Sequence, residues 1–207
     1  MNRLFSNFDL RVLKIAIPLI ISNITIPLVG FVDNVMMGYL GSVVYIGAIG
    51  VGSIIISYIL FSFGFIKSIT TGFVSQNTGA KNYSETFRSL YQILVISLFI
   101  SFIILIFRDQ IINVALSFVN GSSEVLINSK IYLEIRIWSI PAIFIRDILI
   151  GYYIGTQRTV LAMFVSIFIN LVNIILDIIF IYYLDYSIEG VAIASIIAEY
   201  SVIIFVL

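Results

Sequence analysis

The 207-residue chain has no cysteine and no histidine, and only 11% of its residues are charged. Those two missing side chains exclude disulfides, thiolate chemistry, zinc-type sites and imidazole acid/base catalysis, so any proton chemistry falls to carboxylates or tyrosines. The scarcity of charge is equally restrictive. A water-soluble globule carries about a quarter charged residues, whereas a chain that is 61% hydrophobic, with mean hydropathy +1.16, is a membrane protein. Eleven Lys+Arg against eleven Asp+Glu leave no bulk charge to favour nucleic acid or an acidic lipid surface. Proline occurs only three times, which makes each position informative.

What is present is a series of apolar runs of about twenty residues, the length that crosses about 30 Å of hydrocarbon at a rise of about 1.5 Å per residue. Six are read, over residues 12–38, 44–66, 89–108, 131–153, 160–183 and 189–207, so the expected fold class is an all-α polytopic membrane protein of six transmembrane helices. The connections "GYLGSVV", "SQNTGAKNYSET", "IGTQRT" and "LDYSIEG" have turn composition. The longer link 109–130 contains "QIINVALSFV", which predicts a short interfacial helix, with a broken extra span as the alternative. The start, "MNRLFSNFDLRVLK", is basic and precedes a run too long for a signal sequence, with no cleavage site; it reads as a retained cytoplasmic segment. Arg3, Arg11, Lys14, Lys67, Lys81, Arg88 and Arg158 fall on one side of this layout and only Arg108 and Lys130 on the other, which places the first side, and the N-terminus, in the cytoplasm. The closing "VIIFVL" lacks a polar flank and reads as the end of a truncated chain or a fragment.

Polar residues inside these spans need a reason, because a charge at bilayer depth costs about 2.5–3.5 kcal/mol on insertion scales. Asn170, Asn173 and Asp177 in "SIFINLVNIILDIIFIYYL" follow i, i+3, i+7 spacing and share one face of span 5. Asn23, Gly30 and Asp33 form a comparable set on span 1, and the topology places Asp33 and Asp177 at similar depth in the outer half of the membrane. Span 1 also carries Pro18 and Pro27, each of which removes a backbone donor and favours a kink. Freed carbonyls at membrane depth are tolerated beside protein or a wet cavity, so the two spans together predict a cavity with Asn23 and Asn170 on its wall. Span 4 adds Tyr132, Arg136, Ser139 and Arg146 near one face, with Glu134, Pro141 and Asp147 nearby. Its charges are read first as mutually paired or snorkelling packing residues.

A buried carboxylate with amide neighbours has two uses in a membrane: it carries a proton, or carboxylate and amide oxygens together hold a small cation such as Na⁺. Both uses describe an ion-coupled transporter, and the residues do not choose between them. Other motifs carry nothing. "GAIGVG" at 47–52 lacks a lysine and a preceding strand, so helix packing explains it better than phosphate binding, and "NGS" at Asn120 is a common chance match to a glycosylation acceptor. Trp138 and the tyrosines read as interface anchors.

The stretches "AIPLIISNITIPLVGFVDNVMMGYLG", "GFIKSITTGFVSQNTGA", "GTQRT" and "NLVNIILDIIFIYYLDYSIEGVAIASIIAEY" together resemble the multidrug and toxic compound extrusion (MATE) transporters, and within them the bacterial DNA-damage-inducible, DinF-like branch. The resemblance runs from about Ile15 to the end. It implies a twelve-helix antiporter of two six-helix lobes in a bacterial inner (plasma) membrane, exchanging organic, often cationic compounds for H⁺ or Na⁺. Residues 1–207 would be its N-terminal lobe, without the second. It further implies a coupling site in this lobe at Asp33, Asn173 and Asp177, joined by Tyr132 and by Ser195, the last standing where the family has threonine. Bending of span 1 at Pro18 or Pro27 would shrink the cavity. No cofactor beyond the coupling ion is expected, and no enzyme activity. The rival expectation is an inactive truncated or split-gene half-transporter that needs a second lobe; an oligomeric channel and an intramembrane enzyme rank below it.

Overall fold

The computed structural model describes residues 7–39 and 42–206, with the side chains of residues 7–9, 11 and 25–31 outside the described set. Every regular element among the described residues is helical, and they stack into six long rods. The first rod is α1 (Asn7–Tyr39), unbroken along its backbone at both Pro18 and Pro27. The second is α2 (Val43–Ser62), which passes at Phe63 and Gly64 into α3 (Phe65–Gly79). The third is α4 (Tyr83–Ile106), followed by the short α5 (Arg108–Ser117). The fourth joins α6 (Ser123–Arg136) through one tight turn (Ile137–Ser139) to α7 (Ile140–Gly155). The fifth is α8 (Thr159–Ile178), which loosens over Ile179–Tyr183, and the sixth is α9 (Ile188–Tyr200), tightening over Ser201–Phe205. The expected short helix after span 3 is α5.

The solvent is legible in which side chains face inward. Helix α4 buries Thr86, Ser89, Ser97, Ser101 and Ile104 while exposing Phe99 and Phe102. In water that order would be reversed; in lipid, small residues mediate close helix packing and large apolar ones face the tails. Five rods are long and apolar enough to cross a bilayer, and the described part of α1 contributes an apolar stretch over Val12–Ile24. The chain is therefore a multi-pass membrane protein.

Three boundaries correct the expected spans. Rod two extends to Gly79, so the polar "SQNTG" is helical rather than a connection: Thr70, Thr71 and Ser75 return their hydroxyls to the carbonyls of Ile66, Lys67 and Gly72 at 2.7, 2.9 and 2.9 Å. Rod three begins at Tyr83, where the Asn82 side chain caps the Glu85 N–H at 3.2 Å. Rod four begins at Ser123 instead of residue 131, because Ser122 caps the Val125 N–H. The turns after α3 and α7 close through left-handed Lys81 (φ 56°) and Gln157 (φ 59°), with the six-to-one bonds Asn82 N to Asn77 O (2.8 Å) and Arg158 N to Tyr153 O (2.7 Å).

The main core joins α2, α4, α6, α7 and α9 around Ile49, Leu133, Ile137, Ile140 and Phe144; a smaller one binds α8 to α9 through Val165, Ile169, Ala198 and Val202. Two glycines set the spacing of α7 against α3. A Cβ on Gly151 would lie 2.9 Å from the Lys67 carbonyl, and one on Gly155 would lie 2.8 Å from the Val74 Cβ. Helix α1 runs along α8, and α8 packs on α9, which in turn packs on α6. That arrangement gathers the polar residues of four rods.

Candidate coupling site

Asp33 comes from the C-terminal half of α1, Asn173 and Asp177 from one face of α8, Tyr132 from α6 and Ser195 from α9; all five are buried. Asp33 and Asp177 lie close enough for each carboxyl to feel the other's charge. The Asn173 amide N–H donates to Ser195 Oγ at 3.4 Å, and the Tyr132 hydroxyl lies 3.5 Å from Ser53 Oγ. Tyr132 is held from below by Gly52, where a Cβ would meet the ring at 2.4 Å. Just beyond Asp177 the helix widens to an i→i+5 bond, Leu184 N to Ile179 O at 3.1 Å. Such local widenings are rare and, where they occur, are frequently at functional sites.

Four buried oxygens here have no hydrogen-bond partner among the described residues: Asp33 Oδ1, Asn173 Oδ1 and both carboxylate oxygens of Asp177. All four are acceptors. Leaving a buried acceptor unmade costs about 1–3 kcal/mol, more for a charged group, and two ionised carboxylates can only accept, so their mutual contact is no bond until a positive charge enters it. Turning the Asn173 amide would put one NH₂ group in place of its unmatched oxygen, and its two hydrogens do not serve all three carboxylate oxygens. One proton held between the carboxyls would satisfy an oxygen of each. A small cation drawn to the carboxylate and amide oxygens would do the same. No group of three or more Asp, Glu, His or Cys suited to a metal occurs among the described residues; the oxygen set is two acids and one amide.

In front of Asp33 lies a cavity of about 420 Å³. Its wall includes Asn23 and Asp33 of α1, Tyr132 and Arg136 of α6, Asn170 of α8 and Ser195 of α9; Asn173 and Asp177 are not on it. Pro18 is buried in α1 below this region, and the side chain of Pro27 lies outside the described residues.

The charges of span 4 pair with one another at Arg146 and Asp147, and also with an acid that the sequence reading did not assign. Glu199 of α9 accepts from Arg146 Nη1 at 2.6 and 2.7 Å and stands 3.7 Å from Arg136 Nη2. Arg146 also bonds Asp147 Oδ1 at 3.3 and 3.4 Å, while Arg136 Nη1 donates to Ser139 Oγ. Two half-buried arginines in one span demand a counter-charge from elsewhere, and Glu199 is the one acid of span 6 beyond its first turn. That requirement was the available signal.

Comparison with known proteins gives a consistent pattern. The MatE family model matches residues 18–179. DNA damage-inducible protein F of Escherichia coli (strain K12) is 36% identical over 196 residues, covering 95% of this chain and 43% of that protein. Multidrug and toxin extrusion protein 1 of Danio rerio is 28% identical over 200 residues, covering 94% of the chain and 33% of its own length. A crystal structure of MATE in the bent conformation superposes with a TM-score of 0.86 at 20% identity, over 95% of this chain and 44% of that one. The chain thus spans less than half the length of these relatives.

Proposed function

Since the chain belongs to the MatE family, whose members named above are about twice its length or more, we propose that residues 1–207 are the N-terminal six-helix lobe of a secondary antiporter. It extrudes organic, often cationic compounds in exchange for H⁺ or Na⁺, and it resides in a bacterial inner membrane with its N-terminus in the cytoplasm. The observation that carries this reading is the cluster of unmatched acceptor oxygens on Asp33, Asn173 and Asp177 beside a cavity between the rods. Unmatched acceptor oxygens are satisfied by a positive charge, and a pair of acids on two different rods makes helix packing depend on whether that charge is present.

In this mechanism Asp33 and Asp177 hold the coupling cation, Asn173 and Ser195 fix the geometry of Asp177's side, and Tyr132 closes the cavity face. Loading relieves the repulsion between α1 and α8. Helix α1, carrying Pro18 and Pro27 and so missing two backbone donors, is the element free to bend in response and reduce the cavity that holds the organic compound. The chemistry is binding and exchange, and no covalent step is involved.

The coverage of less than half of each relative supports a second reading, a half-transporter that is inactive until a second lobe joins it. Purified chain in liposomes, with a fluorescent organic cation and an imposed H⁺ or Na⁺ gradient, separates the two. Gradient-driven movement that is lost in Asp33→Asn and Asp177→Asn supports the antiporter acting alone. Movement that persists in both variants overturns the assigned site, and none in the wild type points to the half-transporter.

A further inference from the structure

We propose that Arg136 is the positioning residue that sets how tightly Asp33 and Asp177 hold a coupling cation, and that Glu199 tunes it by drawing the guanidinium away from the pair. The inference rests on the coupling-site reading above. Arg136 is 13% exposed and sits between two groups of acids. On one side it shares the cavity wall with Asp33 and Tyr132, and its charge bears on Asp33 and Asp177. On the other it stands 3.7 Å from Glu199, beyond a good N–H···O distance, with one nitrogen anchored on Ser139.

The two arginines are not equivalent. Arg146 is committed, with short bonds to both oxygens of Glu199 and longer ones to Asp147. Arg136 makes no comparably short bond to any acid, so its charge is shared between Glu199 and the pair. Four acids face two guanidiniums in this buried network, Asp33 of α1, Asp147 of α7, Asp177 of α8 and Glu199 of α9 against Arg136 and Arg146, and Lys67 of α3 stands on the same cavity wall. The acids are in excess, so the network accepts added positive charge, and the position of Arg136 decides how strongly. A guanidinium leaning toward the pair competes with the incoming cation; one leaning toward Glu199 frees the site. Each choice ties a different rod to α6: α1 and α8 in the first case, α9 in the second.

The test uses the full chain in nanodiscs and its single tryptophan, Trp138, two residues from Arg136 and stacked under Arg108 at 5.2 Å. Emission is titrated with Na⁺ at fixed pH and, separately, with H⁺. A unit charge about 8 Å away at an effective dielectric of about 20 changes a binding constant about thirtyfold. Arg136→Gln is therefore expected to lower the half-saturating cation concentration by that factor, with Arg136→Lys staying near the wild type. Glu199→Gln, which releases Arg136 toward the pair, is expected to raise it. Should Arg136→Gln fail to fold, as judged by its helical circular dichroism, the opposite shift in Glu199→Gln remains decisive. Midpoints for Arg136→Gln and Glu199→Gln within threefold of the wild type, in a protein whose titration is abolished by Asp177→Asn, would overturn this proposal and leave the coupling site standing. A wild-type titration that survives Asp177→Asn would overturn the coupling-site reading, and the proposal with it.

Discussion

Replacing Asp177 by Asn is expected to make the unloaded protein more stable while removing its capacity to bind a coupling cation. Asp177 is fully buried, both its oxygens lack a partner among the described residues, and it faces Asp33. Two unit charges about 4 Å apart at an effective dielectric of about 20 repel by about 4 kcal/mol, a term that Arg136 offsets in part. An isosteric amide deletes that repulsion and offers Asp33 an N–H donor, where each unmade buried bond costs about 1–3 kcal/mol. A net gain on the order of 2 kcal/mol corresponds to a rise in melting temperature on the order of 5 °C for a chain of this size. The assay is thermal unfolding in nanodiscs followed by Trp138 emission, at high pH without Na⁺ and again with saturating cation. The variant should melt higher in the first condition, and the gap should narrow in the second as the wild type becomes loaded. A variant that melts several degrees lower without cation would show that Asp177 is a satisfied structural acid, and the reasoning would fail.

Three further outcomes follow from the packing and the charges. Gly52→Ala pushes a methyl to 2.4 Å from the Tyr132 ring and should cost about 1–3 kcal/mol while also weakening cation binding. Gly155→Ala, with its Cβ 2.8 Å from Val74 and 3.0 Å from the Thr71 carbonyl, should lower the melting temperature comparably and leave the cation midpoint unchanged. Arg146→Met strands Glu199 without its 2.6 Å partner and should destabilise by about 3 kcal/mol; Arg146→Met combined with Glu199→Met should recover much of the loss in the same unfolding assay. The absence of cysteine makes topology directly testable: Asn82→Cys should react with an impermeant thiol reagent from the cytoplasmic side and Asn120→Cys from the opposite side, and the reverse pattern would invert the proposed orientation.

The six rods were legible because in a membrane length and hydropathy alone define a span, and every backbone group must be satisfied within its own helix. Their ends were less so. Caps by Asn82 and Ser122, and hydroxyls of Thr71 and Ser75 bonding back into α3, carry polar residues into helix where composition alone marks a connection. At the site, the i, i+3, i+7 spacing of Asn170, Asn173 and Asp177 fixed their common face, and depth counted along two spans matched Asp33 to Asp177. Pairings between rods were not legible in this way. That Glu199 meets Arg146 beside its span-4 neighbour Asp147, and that Ser53 and Gly52 of α2 support Tyr132, depend on which helices touch, and no periodicity within one helix encodes that.

The central claim is that Asp33 and Asp177 together bind one coupling cation. Potentiometric titration of the purified chain in nanodiscs, with and without saturating Na⁺, tests it without requiring transport. Relative to Asp33→Asn/Asp177→Asn, the wild type should bind at least one additional H⁺ or Na⁺ per chain, and Na⁺ and H⁺ should displace one another if both use the site. Superimposable titration curves for the wild type and the double variant would contradict it.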